Sequence, residues 1–240
     1  MSYLGAGADW RKRNYLIEPD TPVSVCANTG AVNRISDTAF DERWPGGVIL
    51  FDQYTVGTLN PTFTPAQYGA VGAFQPYVAV GPYFFNQAFS PPGQMTGVVA
   101  SPLALDLDSL AAFIANDTAR LPSTTRCLSG TPFLNGSCSF FFTESDFTTP
   151  KPVVGVSVNV GFLNAVGTIR VTAYDVDANV LGVWFNETSG VTPGNYPEGF
   201  ENFNLNRDSD TPIIAAVTVE NLGDPAGVTT SLVRFSNECA

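Results

Sequence analysis

Between residues 150 and 238, hydrophobic and polar positions alternate with the two-residue period of strands. VVGVSVNVGFL, GTIRVTAYDVDANVLGVWF, TPIIAAVTVE and TTSLVRFSN each read as a strand or a hairpin. In GTIRVTAYD the set Ile169, Val171 and Ala173 opposes Arg170, Thr172 and Tyr174, so one set faces a core and the other faces away from it. Asp175-Val176-Asp177-Ala178-Asn179 is turn chemistry that returns the chain into Val180-Leu181-Gly182-Val183, which makes this stretch a meander.

The pattern is weaker upstream. Pro-punctuated extended pieces in PDTPVSVCANTGAV, where Val23 and Val25 alternate, follow a Gly- and Ala-bearing N-terminal arm. In FDERWPGGVILFDQYTVGTLNPTF a turn at Pro45-Gly46-Gly47 feeds a strand over Val48 to Phe51, and a further extended piece runs to Phe63. The middle of the chain carries Tyr68, Phe74, Tyr77, Tyr83, Phe84, Phe85 and Phe89 among glycines, as short strands and long loops whose aromatics fill a core or line a groove. Leu107, Leu110, Ala111 and Ile114 recur near helical spacing after Asp106 and Asp108, so one short helix is allowed within Leu103 to Arg120.

Composition narrows the class. With 22 Gly, 18 Pro and only 14% charged residues in 240, short strands and tight turns dominate. No Ser/Gly or charged linker divides the chain, so the expectation is residues 1–36 as arm and first strand and 37–240 as a single jelly-roll β-sandwich. The fold class is all-β, a jelly-roll-like antiparallel sandwich with long loops and at most one short helix.

A net charge of −11 argues against nucleic acid and anionic membrane surfaces, because both need a Lys/Arg footprint. Glycine, proline or a polar residue interrupts every apolar run, so no membrane insertion is expected. Arg11-Lys12-Arg13, flanked by Trp10 and Tyr15, is the basic cluster of the chain; it reads either as an assembly arm anchored on an acidic neighbouring subunit or as a solvated tail.

Four cysteines without CxxC spacing and without histidine do not supply a zinc site. Disulfide pairing is the better reading. Cys127 and Cys138 flank LSGTPFLNGS, a hairpin-like loop that a disulfide would close for about 2–4 kcal/mol, and Cys26 with Cys239 would staple the two ends of the chain. Four reduced core cysteines is the alternative. Disulfides imply an oxidising destination, yet residues 1–25 hold no signal-peptide pattern. An extracellular or virion location reconciles the two, since virion components assemble in the cytoplasm and leave by lysis; a cleaved precursor would look the same.

FDERWPGGVILFDQYTVGTLNPTF, PKPVVGVSVNVGF, GTIRVTAYDVDANVLG and SLVRFSN together resemble secreted bacterial jelly-roll modules of the PEP-CTERM-associated, galactose-binding-like type, over about residues 40–65 and 150–238. The resemblance implies a sandwich that binds rather than catalyses, and it speaks to turns and core strands more than to a ligand. The chain departs from it at both ends, without the signal peptide and without the Pro-Glu-Pro sorting tail.

The absence of histidine removes the commonest general base, the usual triad and imidazole metal sites, so a non-catalytic protein with no cofactor is expected. Structural calcium is the one inorganic ligand with a candidate site, Asp175, Asp177 and Asn179; an Asx-rich turn capping its own backbone is the competing reading. A carbohydrate would need an aromatic platform beside amides, and Trp184, Asn186, Asn195, Tyr196 and Phe200 supply both in one stretch; a long connection packed by its own aromatics is the competing reading. The leading functional expectation is a structural or interaction protein of an extracellular assembly, a virion capsid-decoration, cement or tail component whose partners are other subunits of that assembly. A carbohydrate-binding adhesion module with glycan partners is the alternative.

Overall fold

The computed structural model describes residues 30–42, 46–68, 76–90, 94–108, 110–116, 126–131, 136–189, 199–209, 211–224 and 227–236. The eight strands that build the sandwich come late in the chain: β10 (Arg126–Gly130), β11 (Cys138–Thr143), β12 (Gly155–Leu163), β13 (Ile169–Tyr174), β14 (Val180–Phe185), β15 (Gly199–Arg207), β16 (Ala216–Asn221) and β17 (Thr229–Ser236). The first sheet runs β10-β17-β12-β15 and the second β11-β16-β13-β14, all pairings antiparallel. The chain passes from sheet to sheet at nearly every connection, and the strands pair as nested antiparallel ribbons, β10 with β17 inside one sheet and β11 with β16 inside the other. That winding is a jelly roll.

Earlier elements widen the sheets. β1 (Val32–Ile35) joins β15, β2 (Gly47–Leu50) joins β17, and β9 (Ala112–Asn116) joins β10 in the first sheet. β3 (Thr62–Phe63) and β4 (Tyr77–Gly81) extend the second sheet beyond β11. Two short helices, α1 (Asp37–Asp41) and α2 (Pro65–Tyr68), stand where none was expected. Ser36 caps α1 through its hydroxyl, which accepts from the Ala39 N–H, and Phe40 is buried beneath the helix.

Alternation behaves as the sequence dictates. Val156, Val158 and Val160 of β12, Ile169, Val171 and Ala173 of β13, and Phe203 and Leu205 of β15 all enter the interior between the sheets. A second, smaller core lies on the outer face of the second sheet. There the excursion containing β5 (Tyr83–Phe84), β6 (Ala88–Ser90), β7 (Gln94–Thr96) and β8 (Leu105–Asp106) folds across the strands. Phe84, Val99 and Leu103 from it pack on Phe141, Tyr174 and Ala216, with the Phe84 ring edge-on to Phe141 at 6.1 Å and to Tyr174 at 5.7 Å. Thus Phe140 and Phe142 face one core and Phe141 the other, which is why three consecutive phenylalanines in β11 are all buried.

Two expectations are corrected. Leu103 to Arg120 forms no helix among its described residues: Leu105–Asp106 and Ala112–Asn116 are strands, and the register Cys127↔Ala115, Leu128↔Ile114 and Gly130↔Ala112 selects period two over the helical spacing. No disulfide joins Cys127 and Cys138. Gly130 and Gly136 meet in an antiparallel bridge, as a hairpin-like loop would have them, but β10 and β11 belong to different sheets. Cys138 sits in the interior cluster, and Cys127, also fully buried, is not part of that cluster. Burial, with a smaller contribution from Cys127, pushes the Cys138 thiol well above its ordinary range. Cys26 and Cys239 lie outside the described residues.

Candidate interaction edge

A sandwich has four open edges, and each exposes a row of backbone donors and acceptors unless it is covered or blunted. Three of these edges are managed. Beyond β9, the segment around Thr58 to Asn60 supplies hydrogen bonds to Ile114 and Ala112. β3 is two residues long, and the Tyr54 hydroxyl donates to its Thr62 carbonyl. β1 is four residues long and carries Arg34.

The fourth edge, β14, differs in length, composition and exposure. It has six residues, VLGVWF, without a charge or a proline, and among the described residues no strand pairs with it on the side away from β13. Trp184, opposite Val171, packs inward against the main core, and its ring lies where a Cβ on Gly182 would stand, so the strand closes the sandwich flank only with glycine at 182. Among the described residues no element covers the opposite face. Val180, Val183 and Phe185 are 57%, 44% and 46% exposed and lie beside the outward-facing Tyr174, Thr172 and Arg170 of β13.

Hydrogen bonds fix both ends of β14. Asp175 accepts from the backbone N–H of Asp177 (2.9 Å) and Asn179 (2.8 Å) and from the Asn179 side-chain amide (2.9 Å), so its carboxylate is consumed by the turn that launches the strand. Among the described residues no group of three or more acidic, Cys or His side chains converges in a way that could hold a metal ion. At the other end Asn186 is buried, accepts from the Ile169 N–H (2.8 Å) and donates to the carbonyls of Ala165 (2.7 Å) and Thr188 (3.0 Å). Its amide is occupied in holding the chain.

Just beyond, Glu201 accepts from the Glu187 and Thr188 N–H groups, the Thr188 hydroxyl and Arg34, whose guanidinium lies 4.5 Å from the centre of the Phe203 ring. Burial works to raise the Glu201 carboxyl, but hydrogen bonds from Arg34, Thr188 and these backbone groups outweigh it and hold the carboxyl below its ordinary range. Arg34 also donates to the Phe185 carbonyl (3.4 Å), so β1 and β14 border the same flank. The net result is a rigid, apolar edge with exposed acids at its two ends, Asp177 before it and Glu187 after it.

The residues expected to form one carbohydrate platform are dispersed. Trp184 faces inward and Asn186 is structural, whereas Phe200 lies half-buried on the outer face of the other sheet, over Gly161 and next to Thr229. That outer face is a hydrogen-bonded amide field. Asn159 donates to Asn202 (2.7 Å) and accepts from Ser231, Asn202 and Asn204 donate to Asp37, and Arg234 bonds Asp41 and Ser157 beneath α1. Asn195, Tyr196 and the basic arm Trp10, Arg11, Lys12, Arg13 and Tyr15 lie outside the described residues. Reasoning from sequence did not single out Val183 and Phe185; the signal available was a strand read as apolar on both faces next to an acidic turn.

No protein-family model matches the chain, and no curated protein matches it.

Proposed function

We propose that this protein is a non-catalytic structural subunit of an extracellular assembly, of the virion surface, cement or tail kind, which joins its neighbours through the β14 edge. One observation carries the reading. VLGVWF has the composition of a strand buried on both faces, yet among the described residues its outward face is not covered and no strand pairs with its outer backbone, of which the Phe185 carbonyl accepts from Arg34. No histidine is present to serve as a general base, and the buried acids Glu201 and Glu220 are tied to Arg34 and Arg170 in roles that fix the fold. The test is the native mass in solution by light scattering after size exclusion. A multiple of the 25.5 kDa chain supports an assembly subunit, and a strict monomer at micromolar concentration refutes it.

A second reading is favoured by Phe200. Its half-exposed ring beside the Asn159 and Asn202 amides combines an apolar face with directional hydrogen-bond groups, the chemistry a sugar ring requires. A glycan array probed with the wild type and Phe200→Ala decides it: binding lost in the variant supports an adhesion module, and an empty array refutes one.

A further inference from the structure

The occupant of the β14 edge follows from the charges around it. A second copy of β14 is a poor partner. Antiparallel pairing of β14 with itself about Gly182 would set Asp177 of one copy opposite Glu187 of the other, twice, and like charges facing each other across paired strands repel. The edge calls for an extended segment that is apolar along part of its length and basic along the rest. The chain contains one. Trp10-Arg11-Lys12-Arg13-Asn14-Tyr15-Leu16-Ile17 places three adjacent cations next to an apolar run, in a protein whose net charge is otherwise strongly negative.

Where this segment begins also fits. Twenty-nine residues precede Gly30, enough for about 95 Å of extended chain at ~3.3 Å per residue, and they lead into β1, which borders the same flank as β14. Glu187, 3.6 Å from Arg34, keeps its side chain 81% exposed and available to a second cation. We infer that residues 10–17 of one copy add as an antiparallel strand to β14 of its neighbour, with Tyr15 and Ile17 on the face of the Val180, Val183 and Phe185 stripe and the basic triplet toward Glu187 at the far end of the strand. Exchange of arms between neighbours would add a seventh strand to the second sheet and flank the exposed stripe with apolar side chains. This inference rests on the assembly reading above and names the segment and the surface that serve it.

The experiment uses the full chain throughout. Val183→Lys tests the edge, a triple reversal Arg11→Glu, Lys12→Glu, Arg13→Glu tests the arm, and Glu187→Lys tests the acid. Light scattering reads the mass, and circular dichroism with a thermal melt confirms that each variant is folded. The expected result is an assembled wild type, at least a tenfold weaker association in each of the three variants, and recovery when the arm and acid reversals are combined in one chain. Association should also weaken with added salt. A wild type that assembles while folded Val183→Lys assembles equally well overturns the arm-on-edge inference and leaves the assembly reading standing. Loss of association in Val183→Lys but not in the arm reversal makes a second β14 the occupant and overturns the arm. A monomeric wild type overturns both.

Discussion

Arg170→Ala tests whether the outer face of the second sheet is held by a buried charge pair. Glu220, only 1% exposed, accepts from Arg170 Nε and Nη2, both at 2.8 Å, and from the Met95 N–H at 2.5 Å, which ties the β6–β7 hairpin to β16. Burial raises the Glu220 carboxyl above its ordinary range in spite of the Met95 and Arg170 hydrogen bonds. Removing the guanidinium leaves a buried carboxylate with one donor, and breaking such a pair costs about 3–5 kcal/mol. Arg170 is partly solvated, so the low end applies, and about 3 kcal/mol corresponds to a fall of roughly 6–12 °C in Tm for a chain of this size. The pH dependence fixes the cause. A carboxyl whose folded pKa lies above its unfolded value gives no penalty below the ordinary carboxylate range, and the penalty grows as pH rises through the folded pKa. The variant's deficit, followed by urea unfolding at pH 4.5, 6 and 8, should therefore be smallest at pH 4.5 and largest at pH 8, and Glu220→Gln added to it should restore part of the loss. A deficit under about 0.5 kcal/mol, or one equal at all three pH values, would show that the pair does not hold the hairpin.

Other predictions draw on separate parts of the fold. Phe84→Ala should cost about 3–5 kcal/mol, because the ring is fully buried between Phe141 and Tyr174, and hydrogen exchange should rise first in residues 83–108. Asp224→Ala removes a buried acceptor of the Asn164 N–H (2.8 Å) and the Thr168 hydroxyl (2.9 Å) and should lower stability by about 2–4 kcal/mol in chemical denaturation. Calcium or a chelator should leave Tm unchanged, while Asp175→Ala should cost about 1 kcal/mol through loss of the turn, as read by the same melt. Buried Cys138, its thiol held in the neutral form, should resist alkylation at pH 8 in the native protein and react once the chain is unfolded, as followed by mass spectrometry.

The late strands were legible because one property, the face to which a side chain belongs, is written locally. Ile169, Val171 and Ala173 go inward and Arg170 and Thr172 outward in sequence and structure alike. Leu103 to Arg120 misled because Leu107, Leu110, Ala111 and Ile114 satisfy a helical spacing, while pairing with β10, supplied by distant residues, decides the outcome. The cysteines misled for the same reason. Proximity in sequence said nothing of Cys127 and Cys138 standing in strands of different sheets. Trp184 and Asn186 fit a carbohydrate platform by residue type, but an indole over Gly182 and an amide with three partners serve the fold, a distinction that lies in the direction of each side chain and not in its type.

The edge itself was half legible. Val180-Leu181-Gly182-Val183-Trp184-Phe185 reads as a strand apolar on both faces, and in most folds that means a central position. Here the strand order puts it at the rim of the second sheet, with Trp184 inward and Val183 and Phe185 in water. Among the described residues the excursion that covers the outer face of this sheet packs on Tyr174 of β13, and none of them extends that cover over Val183 and Phe185 of β14. Edge strands that stay solvent-facing are ordinarily short, charged or interrupted by proline, and the rims at β1, β3 and β9 follow that rule or are covered. A strand coded for burial on both sides but covered by its own chain on one is accounted for if the missing cover comes from elsewhere, and the basic, aromatic arm is the segment of this chain whose chemistry matches what is left open.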